Sequence, residues 1–362
     1  MAMFPSLSYK KCGRCVMVKQ LKWLNCIKFF AIITVLLDHT YGVLYGNNKL
    51  LYASLVGVPL FILISGITSY ISNERHNANW LNTFTRSTRK LAGGYCIAVL
   101  IHELLLLGTL DLEVYWDLFI HFYANGSHYF VLLYFQLMVA NHFFYKLLKK
   151  NGMHKYGWFF DLIALIIVGV FAEWSTNHTN IGNVYGGGGK LLGGTYLLVY
   201  FIGMLLAKYS FTGMPFFRKS SICLIGGGAV WAVAWSCICK EGYNLKAFSP
   251  AKLGLNPPNL LLIVESVGAF LFLFGLITLL YRVPLITAIM DFLNKLGRHT
   301  MYIFLYHDIL FSNYLIPYFH TGNVWFNRIL FLTAMIGIPI LLERIIYQLG
   351  KAVKNILSTP QQ

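Results

Sequence analysis

One apolar segment of the chain, Trp23–Tyr45, contains a lysine and a histidine whose spacing places them on one face of a helix. Lys28 and His39 are eleven residues apart. Eleven steps of about 100° return to nearly the same side of a helix, about 16 Å further along its axis. Histidine titrates near neutral pH and is the commonest general base of enzymes. The pair therefore looks like parts of one site, in which neutral His39 would abstract a proton and Lys28 would supply a fixed positive charge on the same helix face.

The depth of these two side chains follows from the helix that must carry them. If the N-terminus is cytoplasmic and the helix enters the membrane near Lys22, a rise of 1.5 Å per residue puts Lys28 about 9 Å and His39 about 26 Å deep. Ionisable side chains at such depths are rare unless they line a protein interior or a wet cavity. Asp38 is also deep but points about 100° away from His39, so it is not an obvious orienter of that ring. The structural alternative is a histidine that bridges two helices by hydrogen bonds.

The composition is that of a polytopic membrane protein. Of 362 residues, 57% are hydrophobic and only 12% are charged, whereas soluble domains carry about 25% charged residues. A spanning helix needs about 20 mostly apolar residues, and about ten such stretches are present. We therefore predict an all-α bundle of about ten transmembrane helices. The predicted spans are 21–45, 51–72, 91–110, 127–147, 158–173, 191–209, 220–239, 257–280, 299–318 and 325–347.

The positive charge of the chain is distributed as in a membrane protein rather than a nucleic-acid-binding one. The net charge is +16, yet Lys and Arg collect on alternate loops, and the segment 111–126 contains acidic residues but no Lys or Arg. Cytoplasmic loops carry this excess. We predict cytoplasmic termini, membrane lipids as partners and no nucleic acid. The predicted parts are a basic tail over 1–20, a transmembrane domain over 21–349 and a second tail over 350–362.

Three basic residues, Arg86, Arg89 and Lys90, stand just before the third predicted span. Arg86 and Lys90 are spaced i, i+4 and share a helix face. Guanidinium groups bind phosphates bidentately, so the cluster is a candidate cofactor site for a phosphorylated donor such as a CoA thioester. The alternative is a topology signal in contact with lipid headgroups.

Further polar side chains fall at the start of the fourth span or inside the ninth. His128 starts the fourth span near the level of His39, and His307 with Asp308 lies about 13 Å into the ninth. We expect His128, Asp38 and His307 to be acceptor-binding residues. A proton relay and helix–helix hydrogen bonding are left open for His307 and Asp308.

The sequence predicts no metal site. The H-E-x-x-H motif is absent, and Cys12 and Cys15 form a lone C-x-x-C without the second pair that a zinc site needs. The other cysteines are scattered and are interpreted as small apolar residues or free thiols.

In their order along the chain, these segments resemble the integral membrane acyltransferase family 3, which comprises bacterial O-acyltransferases of surface polysaccharides and related glycans. The family's [R/K]-x10-H pattern appears as Lys28 and His39, and its basic pair before the third helix as Arg86 and Arg89-Lys90. The resemblance covers essentially the whole chain. Further matching segments are Gly57–Gly66, His128–Leu132, Thr195–Tyr209 and Leu296–His307.

The resemblance implies transfer of an acyl group, usually acetyl, from cytoplasmic acetyl-CoA to a hydroxyl of a surface polysaccharide or its lipid-linked precursor. It implies that His39 is the essential histidine, Lys28 its basic partner, and Arg86 or Arg89 a donor-site arginine, within an acyltransferase domain over 21–349 of a bacterial cell-membrane protein. Two departures stand out. The basic partner is lysine instead of the commoner arginine, and the soluble esterase-like domain of some members is not found here. We expect the bundle or a partner protein to complete the transfer.

Two other functions fit the same residues. In a transporter or glycan flippase, buried His, Lys and Asp side chains would form a proton-coupled pathway, although no symmetry relates the two halves of the chain. In a non-catalytic scaffold, Lys28 and His39 could both become Leu without a phenotype. Homo-oligomer formation and glycan-assembly proteins are further candidate partnerships.

Overall fold

The computed structural model of the protein describes residues 13–42, 44–76, 80–106, 108, 110–122, 124, 126–181, 189–209, 216–241, 256–310 and 324–358. Residues 1–12 of the first predicted tail, Cys12 among them, and residues 359–362 of the second lie outside these residues. In the described residues the protein is all-helical and has no β-strand, which confirms the predicted fold class.

Thirteen α-helices and one 3₁₀ turn, Leu191–Gly193, make up the described secondary structure. Side-chain oxygens of Asn47, Asp111 and Asn259 accept backbone N–H groups at the starts of α2, α5 and α10, which is the usual way to satisfy a helix N-terminus. The helices are α1 Gly13–His39, α2 Asn48–Ser54, α3 Gly57–His76, α4 Trp80–Leu106, α5 Leu112–His121, α6 Tyr129–Gly152, α7 Gly157–His178, α8 Tyr196–Lys208, α9 Phe216–Glu241, α10 Leu260–Leu280, α11 Pro284–Leu296, α12 Thr300–Leu310 and α13 Val324–Ser358.

Six helical stretches are long and apolar enough to cross a membrane, and the protein is a multi-pass membrane protein. Large apolar side chains such as Ile167 and Ile225 are 62% and 73% exposed, as expected where lipid tails cover a helix. Ten crossings and cytoplasmic termini stay predictions. The six stretches are Asn48–Arg75, Tyr129–Gly152, Gly157–His178, Arg218–Lys240, Leu260–Leu280 and Trp325–Lys351, and two shorter apolar helices are Leu91–Leu105 and Tyr196–Lys208.

Several helices extend beyond the predicted spans. Helix α7 continues past residue 173 to His178, and α4 begins at Trp80 instead of residue 91, so the basic cluster lies on the helix itself. The second predicted span is divided near Leu55 into α2 and α3. Hydropathy marks the part of a helix that lies in hydrocarbon, whereas the helix continues wherever its backbone bonds are satisfied.

Helix α3 lies inside the bundle and packs closely against α8. In the apolar 18-residue stretch of Asn48–Arg75, 61% of the residues are buried, whereas only 17% are buried in the corresponding stretch of Trp325–Lys351. A Cβ atom added to Gly66 would lie 2.1 Å from the carbonyl oxygen of Tyr200. One added to Gly203 would lie 2.2 Å from the carbonyl oxygen of Leu63. These glycines let two helix backbones approach, as small residues commonly do in membranes.

Helix α1 is held beside α11 and α12. Lys22 Nζ donates to Asp291 Oδ1 at 2.8 Å, and Asn25 Nδ2 donates to Asn294 Oδ1 at 2.9 Å. Gly297, between α11 and α12, packs so closely that an added Cβ would lie 1.8 Å from the carbonyl oxygen of Asn25. These contacts bring the first and ninth predicted spans side by side.

Candidate active site

The structure brings two of the predicted site residues into contact. The ring centroids of His39, the last residue of α1, and His307, on α12, are 4.9 Å apart, with ring planes at 73°. His307 is fully buried, while His39 is partly exposed. The His39 imidazole therefore packs against an interior residue of the bundle, while His39 itself is only partly buried.

This contact corrects the predicted depths of the two histidines. From the sequence, His39 lies about 26 Å and His307 about 13 Å into the membrane, which would keep the rings apart. Relative to α1, the ninth span starts further along the helix axis than predicted, because Gly297, just before α12, already packs against Asn25. A count of residues from an assumed membrane edge misses such an offset in where a helix begins.

Two buried histidines each have one bonded and one unbonded ring nitrogen. His307 Nδ1 donates to the carbonyl oxygen of Phe304 at 2.6 Å. His128 Nε2 donates to the carbonyl oxygen of Leu305 at 3.4 Å. A carbonyl only accepts, so these bonds fix the tautomers and leave lone pairs on His307 Nε2 and His128 Nδ1. Neither nitrogen has a hydrogen-bond partner in the part of the chain that the structure describes.

The unbonded nitrogens lie among aromatic rings. The Phe304 ring centroid is 5.5 Å from that of His307 and 4.6 Å from that of Phe130. Tyr95 approaches His128 edge-on at 5.1 Å. A buried acceptor without a donor costs about 1–3 kcal/mol, and aromatic walls keep bulk water from supplying one. Both nitrogens are therefore candidates for a bond that a ligand or a moved side chain provides.

Asp38 belongs to a polar wall next to His39. It interacts electrostatically with His39, Tyr129 and Tyr196. A carboxylate and two phenol groups are suitable partners for the hydroxyls of an acceptor molecule.

Lys28 is not brought to the histidines. Helix α1 is continuous through both positions, so Lys28 stays about 16 Å from His39 along the axis. Its side chain is partly buried. One reacting centre cannot include both groups while this helix is intact.

Arg89 of the basic cluster borders a cavity beside the N-terminal half of α12. Arg89 is exposed and lines a cavity of about 640 Å³, within the range of about 300–1,000 Å³ that is usual for small-molecule sites. Tyr302, which also lines it, precedes His307 by about 7.5 Å along the same helix. The side chains of Arg86 and Lys90 lie outside the described residues. The lining residues are Thr85, Arg89, Gly93, Gly94, Ile97, Tyr302 and Ile346.

Sequence reasoning missed His102, on α4. Its ring interacts electrostatically with His128 and Asp308, and its Nδ1 has no hydrogen-bond partner among the described residues. The signal was present, since His102 is an ionisable side chain within a predicted span. Its neighbour Glu103 has a hydrogen-bond partner nearby in the chain: Glu103 Oε1 accepts a hydrogen bond from the backbone N–H of Asp111 at 2.6 Å.

The described residues contain no group of three His, Cys, Asp or Glu side chains arranged to hold a metal ion. The groups suited to an organic cofactor are those of the Arg89 cavity, where one guanidinium adjoins largely apolar walls. A phosphorylated donor with an apolar arm fits that combination.

Comparison with known proteins gives one match that spans most of the chain. Residues 21–344 match a family model described as "Acyltransferase domain", that of acyltransferase family 3. No curated protein and no solved structure matches the chain significantly.

Proposed function

This chain belongs to acyltransferase family 3, and on that premise we propose that it is an O-acetyltransferase. It moves acetyl from cytoplasmic acetyl-CoA to a hydroxyl of a cell-surface polysaccharide or its lipid-linked precursor, in a bacterial plasma membrane. The observation that carries the proposal is the partly exposed imidazole of His39, held against buried His307 inside the bundle.

The chemistry needs a base at this point. A sugar hydroxyl ionises far above neutral pH, so a histidine must take its proton as the oxygen attacks the thioester carbonyl. The new C–O bond forms, the C–S bond breaks, and the CoA thiolate leaves. His39 then returns its proton to the thiolate, so protons balance over the cycle. Asp38 and the hydroxyls of Tyr129 and Tyr196 bind neighbouring hydroxyls of the acceptor.

The donor side is supported by Arg89. Its guanidinium lines the cavity beside α12, where it would bind a phosphate of CoA. Tyr302 lines the same cavity and lies on the helix that carries His307, so the acetyl end of a donor held there would point along α12 towards the histidines. We assign Lys28 to the CoA arm instead of the reacting centre, because about 16 Å of helix separates it from His39.

The test is a mass-spectrometric comparison of surface glycans from the native host with and without this chain. Loss of the enzyme should leave the polymer present but without its acetyl esters. Loss of a flippase would instead remove the polymer, and an unchanged acetyl content would contradict the proposal. Complementation with the wild-type chain is the control for indirect effects of the deletion.

A further inference from the structure

The hydrogen bonding of His307 indicates a role that goes beyond acceptor contact. We propose that His307 is a positioning residue for His39: its Nε2 accepts one ring N–H of His39, which leaves the opposite ring nitrogen of His39 as the base. This inference rests on the proposed function. It assigns to a neutral histidine the role that a carboxylate has in a Ser-His-Asp triad.

The first support is the fixed tautomer of His307. His307 Nδ1–H donates a hydrogen bond to the carbonyl oxygen of Phe304, with 2.6 Å between Nδ1 and the oxygen. Nε2 therefore carries the lone pair and can only accept a hydrogen bond while the ring is neutral. That lone pair is fully buried and has no donor among the described residues. The ring of His39 packs against the ring of His307.

The second support is the distance between the rings. A centroid separation of 4.9 Å is close to what an N–H···N bond between two imidazoles requires, about 3 Å between nitrogens plus two ring radii. His39 is partly exposed and ends α1, so rotation of its ring about χ2 can present a nitrogen to His307. Movement of His307 is opposed by its bond to Phe304 and by the surrounding aromatic rings.

The third support is where the neighbouring carboxylates lie. Asp308 adjoins Gly126, where an added Cβ would lie 3.4 Å from Asp308 Oδ2, and it interacts with His102. Asp38 precedes His39 on α1 and interacts electrostatically with it, and also with Tyr129 and Tyr196, but the described hydrogen bonds include none between the side chains of Asp38 and His39. A neutral acceptor also costs less to bury than a carboxylate would at the position of His307.

The consequence for the reaction is geometric. With one N–H of His39 bonded to His307, the other nitrogen carries the lone pair and is aimed at the acceptor hydroxyl. When it takes the hydroxyl proton, His39 becomes an imidazolium whose bonded N–H remains on His307 Nε2. The proton leaves again to the CoA thiolate after the C–S bond breaks, so His307 ends each turnover unchanged.

The experiment uses two substitutions that each keep one half of the His307 bonding. His307→Gln keeps an acceptor near the position of Nε2 but loses the bond to Phe304. His307→Asn keeps a donor near the position of Nδ1 but loses the acceptor. Each full-length variant is expressed in a strain that lacks the native chain. Membrane vesicles that contain the variant receive acetyl-CoA labelled in the acetyl group, and the label that alkali releases from the host glycan is measured. That amount is divided by the amount of variant that is monodisperse after a sample of the same membranes is solubilised in detergent.

The expected result is a kcat for His307→Gln within about 10-fold of wild type and a fall of about 100-fold for His307→Asn. The KM for acetyl-CoA stays unchanged in both. His178→Gln and His178→Asn, at an exposed ring stacked on Trp174, are matched controls and keep wild-type rates. The reverse order, equal losses in both variants, or wild-type rates in both would overturn the positioning role. If the wild-type chain forms no labelled ester, it is the proposed function that fails.

Discussion

Two polar regions of the bundle differ in how completely their side chains are bonded. In the first, where α6, α7 and α8 meet, Asp161 accepts from Asn151 Nδ2 at 2.9 Å and also from Lys208 and Tyr209. Lys208 Nζ donates in addition to the carbonyl oxygen of Leu148 at 2.8 Å. The carboxylate and the ammonium are both almost completely buried.

In the second region, where α1, α6 and α12 meet, the bonding is incomplete. His307 Nε2 and His128 Nδ1 are buried without a partner in the described residues, and the His39 ring is partly exposed. Buried polar groups in proteins are nearly always bonded. The Asp161 network holds helices together, whereas the histidine region, where we propose that the reaction takes place, retains buried acceptor nitrogens that a donor could still satisfy.

The largest expected effect is on catalysis and comes from His39→Ala. Removal of a general base lowers kcat by about 10²–10⁴-fold, while the KM for acetyl-CoA and the thermal stability stay nearly unchanged, because His39 is partly exposed and the described hydrogen bonds include none from its ring to another helix. Acetyl-ester formation from labelled acetyl-CoA, per monodisperse protein, measures it. His178→Ala is the control. Wild-type kcat in His39→Ala at normal abundance would remove the histidine region from the mechanism.

A large effect on stability is expected from Lys208→Met. It leaves the Asp161 carboxylate buried without its cation, and breaking a buried pair in this way costs about 3–5 kcal/mol. The measurement is the temperature at which half the detergent-solubilised protein leaves the monodisperse peak. That temperature should fall, whereas kcat per folded molecule should not.

The double variant Asp161→Asn with Lys208→Met separates charge from packing. It removes both charges and should recover part of the stability lost in Lys208→Met. If the single variant is as stable as wild type, the Asp161 network is not the structural counterpart of the histidine region, and the contrast between them does not hold.

The sequence predicted the class of fold and the helix that carries His39, the proposed base, because both depend on local composition and on a period of 3.6 residues. It could not predict that His39 meets His307, since that contact depends on where α12 begins relative to α1. It also could not pair Lys208 with Asp161, which are distant along the chain. A lysine at a helix end has the same appearance in sequence whether it marks topology or neutralises a buried carboxylate.

A smaller effect is expected from Arg89→Ala. Loss of one guanidinium from the cavity beside α12 should raise the KM for acetyl-CoA by roughly 10-fold, about 1.4 kcal/mol of binding. The kcat should stay unchanged, since Arg89 is not at the histidines. Initial rates over a series of donor concentrations give both constants. Arg89→Lys keeps the charge but not the bidentate fork, so its KM should lie between those of the wild type and Arg89→Ala.

Arg218→Ala is the matched control, because Arg218 is an exposed arginine that does not line the cavity. An equal rise in KM for Arg218→Ala would mean that general surface charge attracts the donor. A fall in kcat for Arg89→Ala at unchanged KM would place Arg89 near the reacting atoms instead of at a phosphate.

The smallest effect is expected from Lys22→Met. The ion pair of Lys22 with Asp291 joins α1 to α11 at 2.8 Å, but its side chains are 40% and 37% exposed, and exposed pairs contribute about 0–1 kcal/mol. The unfolding temperature should therefore change little. The single variant Asp291→Asn and the double variant Lys22→Met with Asp291→Asn should show the same small change. A loss as large as that of Lys208→Met would mean that the pair fixes α11, and through Gly297 the depth of α12. The meeting of His39 and His307 would then depend on a surface charge, and the division between structural and catalytic polar regions would have to be redrawn.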